Sequence, residues 1–158
     1  MDESHDNADL LHVLERQRGS VVDAACASLR HSRTRYESAG PEETRQRIET
    51  LYGKLLEALS SRDLGSVLDY ARKLAAERFE SGYDLSEVQG AFNALEEAAW
   101  TELCARLEPN SLGLSLGLVS TVLGAAKDAL AQQYVSLASQ ARAQSLDVRA
   151  LFTGNAAA

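Results

Sequence analysis

The chain has 158 residues, 45% of them hydrophobic and 25% charged, which suits one globular domain with its own core. A net charge of −7 sets aside nucleic acid as a partner, because phosphate binding needs a basic face. Only two prolines interrupt a sequence rich in Ala, Leu, Glu, Arg and Gln, a composition that favours helix.

Residues 1–7 are polar and read as a disordered N-terminus. From Asp9, Leu10, Leu11, Leu14, Val21, Val22, Ala25 and Leu29 recur at gaps that place one apolar face on a helix ending near His31. Gly19-Ser20 weakens that helix locally and marks where it bends or breaks. Ser32–Gly40 has no apolar period and reads as a connector. Pro41 suits the first turn of the next helix, and Glu42 and Glu43 complement its dipole. Ile48, Leu51, Leu55 and Leu59 form its buried stripe, and it should stop near Ser60–Arg62.

A third helix carries Leu64, Val67, Leu68, Ala71, Leu74, Ala75 and Phe79 and ends at Gly82, a residue tolerant of left-handed geometry. Asp84 then caps a fourth, with Glu87 three residues on to complete a capping box. Its face is Leu85, Val88, Phe92, Leu95, Ala99 and Leu103, widened by Trp100 and Leu107 and ended by Pro109-Asn110. The Leu/Gly alternation of residues 112–118 imitates a strand. A strand there would have no partner, and Leu116, Val119, Val122, Leu123, Ala126, Leu130, Tyr134 and Leu137 run at helical spacing. The period continues through Ala141, Val148 and Leu151. The expected fold is all-α, a five-to-six-helix bundle with a long apolar last helix.

Charge is spread unevenly. Residues 55–108 carry five basic and eleven acidic groups, whereas residues 109–158 carry three and two. A nearly uncharged last helix is expected to be central, a subunit interface, or both. The sequence therefore predicts a homodimer through Val119, Val122, Leu123, Leu130, Tyr134 and Leu137. Cys26 and Cys104 lie far apart with no CxxC pair, the N-terminus lacks a signal-peptide core, and no eighteen-residue apolar run occurs. Those features point to a cytoplasmic protein that stays off the membrane.

No catalytic signature is visible, so the expected protein is not an enzyme, and no cofactor or metal is expected. His5, His12 and His31 all lie early in the chain, with no Glu-x-x-His pair for a di-metal bundle and no late histidine for haem. His12 in HVLER faintly resembles the histidine of phosphotransfer bundles, usually H-x-L-K-G, but Glu15 and Arg16 replace the lysine and glycine. His31 with Arg30, Arg33 and Arg35 reads as a helix-end cationic face. Cys26 and Cys104 read as structural thiols. Arg78, Tyr83, Asp84 and Glu87 form the most interesting polar set. They read first as a corner fixed by caps, and second as a ligand or partner notch formed by Tyr70, Arg78, Tyr83 and Trp100.

The segments LLHVLERQRGSVVDAACASLR, RYES and Gly40–Leu107, above all RFESGYDLSEVQGAFNAL with Arg78, Gly82, Leu85 and Glu87, resemble the N-terminal domain of RsbRD-type RsbT co-antagonist proteins. The likeness covers about residues 8–140. It implies an all-helical bacterial sensory or regulatory domain, with globin-like topology and no haem, that dimerises and signals along its last helix. In RsbR-type proteins the output is a STAS domain acting in stressosome assembly and stress response. This sequence ends at Ala158 without one, so the expectation is an excised input module or a protein acting in trans. The expected organisation is residues 8–140 as the regulatory domain and 141–158 as a helical extension and flexible tail. The competing expectation is a small-ligand-binding globin-like bundle without haem, with a histidine phosphotransfer-like bundle behind it.

Overall fold

The structure, a computed structural model, describes residues 3–31 and 40–154. Among them are six helices: α1 (Glu3–Arg16), α2 (Arg18–His31), α3 (Pro41–Ser61), α4 (Gly65–Glu80), α5 (Leu85–Arg106) and α6 (Pro109–Gly154). The predicted all-α bundle with a long last helix is therefore observed. The connector and its Arg33 and Arg35, RYES, and the last four residues lie outside the described residues.

Two features of the N-terminus differ from a single helix starting at Asp9. Helix α1 begins at Glu3, and Asn7 Nδ2 donates to the Leu59 carbonyl at 3.5 Å. The break falls at Gln17, two residues before Gly19. A residue of another helix meets it there. The buried Tyr52 hydroxyl donates to the Leu14 carbonyl at 2.7 Å, the acceptor that Arg18 N–H would also use in a continuous helix. Arg18 lies over the Tyr52 ring, 5.8 Å from its centroid.

Helices α3 to α5 start and stop where local chemistry places the signals. Pro41 sits in the first turn of α3, and Arg62 closes that helix in the left-handed region at φ 56°. The Asp63 carboxylate then accepts from Gly65 N–H at 2.9 Å, satisfying one of the donors left open at the start of α4. Pro109 does more than end α5. It opens α6, using the position where its missing N–H costs nothing.

Helix α6 is the central element along its first half. It packs most extensively on α4 and also contacts α5, α3 and α1, while α2 packs on α5. Ala71 and Ala75 of α4, Ala91, Ala94 and Ala98 of α5, and Ala126 and Ala129 of α6 are all buried. Small residues at these gaps let helix axes approach closely. A polar seam fixes α5 against α6: Glu96 accepts from Ser120 at 2.8 Å and pairs with Lys127 at 3.4 Å.

Trp100 does not widen the core face of α5. Ala98, Ala99 and Leu103 occupy it, and Trp100, turned past them, is 41% exposed.

Candidate functional site

The corner between α4 and α5 closes in a Schellman arrangement. Tyr83 N–H donates to the Arg78 carbonyl at 3.1 Å, and Gly82 N–H to the Phe79 carbonyl at 3.1 Å. Gly82 supplies the required positive φ of 77°. On the far side, the Glu87 carboxylate accepts from Asp84 N–H at 2.9 Å, the return arm of the predicted capping box.

This corner places a charge inside the molecule. Val67, Ala71, Ala75 and Arg78 form the buried stripe of α4, so Arg78 holds a core position and is only 9% exposed. Its guanidinium lies 5.4 Å from the Tyr83 ring centroid. Arg47 of α3 approaches the same ring at 6.0 Å, while its Nη2 pairs with Glu43 one turn away. Both arginines line a cavity of about 20 Å³ with Thr44, Tyr70 and the apolar walls of Ile48 and Phe92. Arg78 Nε and Arg47 Nη1 are buried, and neither meets a hydrogen-bond partner among the described residues. Burial pushes the Tyr70 phenol upward from its usual pKa; Arg78 pulls against that rise, Glu77 adds to it, and Arg47 pulls against it more weakly.

Among the described residues Arg78 makes no ion pair. Of its guanidinium nitrogens Nε is buried without a partner among the described residues, and a buried donor left unsatisfied costs about 1–3 kcal/mol. The Tyr83 ring face adds about 0.5–2 kcal/mol of cation–π attraction. The arrangement therefore favours negative charge at the cavity.

Three of the four predicted notch residues come together here: Tyr70, Arg78 and Tyr83. Trp100 does not. It lies on another face of α5, in a shallow depression with Asn93, Glu97 and Cys104. Sequence reasoning missed Arg47 and Thr44, which come from a helix thirty residues earlier. The one available signal was an arginine flanking the apolar positions Ile48 and Leu51.

The predicted interface residues lie mostly inside the single chain. Val119, Leu123 and Leu130 are wholly buried within the single chain, and Val122 and Tyr134 nearly so. Leu137 alone is partly exposed. Loss of charge in α6 reflects enclosure by the chain's own helices along its first half. Four of the five exposed large hydrophobic residues among those described still lie on α6: Leu114, Val135, Leu146 and Phe152.

Tyr134 links the corner to α6. Its hydroxyl donates to the Tyr83 carbonyl at 3.2 Å, and its ring meets Phe79 edge-on, with centroids 5.8 Å apart. It is also the last buried residue of α6 among those described. Of the histidines, His12 is exposed on α1, and His31 Nδ1 lies 2.7 Å from the Ala27 carbonyl at the end of α2. Among the described residues no group of three or more His, Cys, Asp or Glu side chains converges as a metal site would require.

The family model described as the RsbT co-antagonist protein rsbRD N-terminal domain matches residues 18–151. The match begins after α1, at the start of α2, and runs into the exposed part of α6, later at both ends than the resemblance over residues 8–140. No curated protein and no solved structure matches the chain.

Proposed function

The chain belongs to the RsbT co-antagonist rsbRD N-terminal domain family of regulatory signalling domains, and from that premise we propose a non-enzymatic input module of stressosome type. In this reading the bundle changes state and α6 reports the change to an output protein or domain. One observation carries it: α6 leaves the bundle after Tyr134 and continues as an exposed helix, most of which lies inside the matched family segment. A helix whose residues 138–146 are all exposed contributes little to the core, so its persistence calls for a role outside it.

The module acts as a cytoplasmic homodimer, joined through the outward apolar residues of α6, chiefly Leu114 and Val135. Helix α6 is long and apolar enough, by length and composition, to cross a membrane. Complete enclosure of Val119, Leu123, Ala126 and Leu130 by neighbouring helices favours a core helix of a soluble domain instead.

The test is capture of an RsbT-type partner and a STAS-domain partner by the full chain and by a chain ending after residue 138. Capture that disappears with the truncation, while the bundle keeps its melting transition, supports output through α6. Equal capture by both chains refutes it.

A further inference from the structure

We propose that the cavity between Arg47 and Arg78 is a binding site for a single halide-sized anion, chloride in the cell. This concerns α3 and α4 and stands whether or not α6 carries the output.

Two independent observations converge on it. The first is the cavity, whose volume of about 20 Å³ accommodates one atom-sized occupant, whereas phosphate, sulfate or a carboxylate ligand needs more room. The second is Arg78, which lines that cavity, is nine-tenths buried, and has its Nε buried and unpartnered among the described residues. Arg47 Nη1 presents a second unused N–H donor from a different helix. Tyr70 also lines the cavity, and its hydroxyl brings a third group able to donate.

The charge balance selects an anion over water. Among the described residues Glu43 is the only carboxylate that pairs with Arg47, and it engages Nη2. No carboxylate forms an ion pair with Arg78 among the described residues, and Glu77 is the acidic group that acts on Tyr70 beside the two arginines. A water in the cavity would satisfy N–H groups and bring no negative charge to the guanidinium groups. A halide accepts from all three donors, has no donor of its own to satisfy, and fits beside the apolar walls of Ile48 and Phe92.

Thermal unfolding of the full chain, titrated with chloride against gluconate at constant ionic strength, tests this directly. The melting temperature should rise and saturate with chloride and with bromide, and should not rise with sulfate or phosphate. Chlorine NMR of the unsubstituted chain should show line broadening that bromide reverses. Tyr70→Phe should raise the half-saturating chloride concentration several-fold, and Arg78→Leu should abolish the dependence. If Arg78→Leu fails to fold, Tyr70→Phe and the NMR competition still decide. Stability that follows ionic strength whatever the anion, equal effects of sulfate, or broadening unchanged by bromide would overturn the site.

Discussion

Tyr83 holds Arg78 twice: its backbone N–H caps the Arg78 carbonyl at 3.1 Å, and its ring lies 5.4 Å from the same residue's guanidinium. The turn that ends α4 is thus also the device that keeps a cation inside the bundle. Ring and backbone move together, so loss of the turn geometry should release the arginine.

Gly82 makes that turn possible. Gly82→Ala forces a side chain into the left-handed region and should cost about 1 kcal/mol, lowering the melting temperature by roughly 2–4 °C. Arg62, at φ 56°, is the converse case, and Arg62→Gly should be neutral or stabilising. Differential scanning calorimetry on the two variants checks both signs.

Tyr52→Phe should destabilise by about 1–3 kcal/mol, because the Leu14 carbonyl would keep its place near the core without its donor. Chemical denaturation measures the loss. A midpoint unchanged from the parent chain would show that the break at Gln17 does not depend on the Tyr52 hydroxyl.

Leu130→Glu and Val135→Glu should part company. Leu130 is enclosed, and a charge there should unfold the bundle. Val135 is 63% exposed, and its variant should keep the fold while weakening self-association. Circular dichroism reads the first effect and sedimentation the second; a folded, undiminished dimer for Val135→Glu would exclude that surface.

Alkaline stability should fall through tyrosine ionisation. Burial raises Tyr134 from 10.0 to about 12, and raises Tyr52 and Tyr70 in the same direction. A group whose folded pKa exceeds its unfolded value contributes fully below the unfolded value and loses that contribution as pH climbs to the folded one. Stability should therefore be level below about pH 10 and decline between there and pH 12. Tyrosinate absorbance should rise together with the loss of helical signal.

Cys104 is exposed and Cys26 buried, with burial raising the Cys26 thiol. A thiol reagent should modify Cys104 rapidly and Cys26 only after denaturation. Mass spectrometry of peptides at short and long exposure distinguishes the two.

Helix boundaries were legible where one residue carries the physics. Pro41, Gly82 and the Asp84–Glu87 pair act through their own backbone and nearest turn, and each stands where expected. The break at Gln17 stands two residues before Gly19, beside a contact with Tyr52, thirty-five residues later, that the local sequence cannot show. The meaning of the uncharged segment was half legible. Composition reports that α6 is covered and cannot say whether its own chain or a second one does the covering. Arg78 showed only as a polar residue near a glycine; its importance comes from a place on the α4 stripe, after Val67, Ala71 and Ala75, and from Arg47 opposite. Trp100 misled because a large aromatic at near-helical spacing normally belongs to the core.

The free arm of α6 has a geometric gain. From Tyr134 to Gly154 it runs 20 residues, about 30 Å at helical rise. If the arm is stiff, a tilt of about 10° at the Tyr134–Tyr83 contact displaces its end by roughly 5 Å, close to one helical turn. A rearrangement at the corner too small to disturb the core would thus arrive at the distal end as a change of register, on the scale at which packed helices switch between discrete alignments.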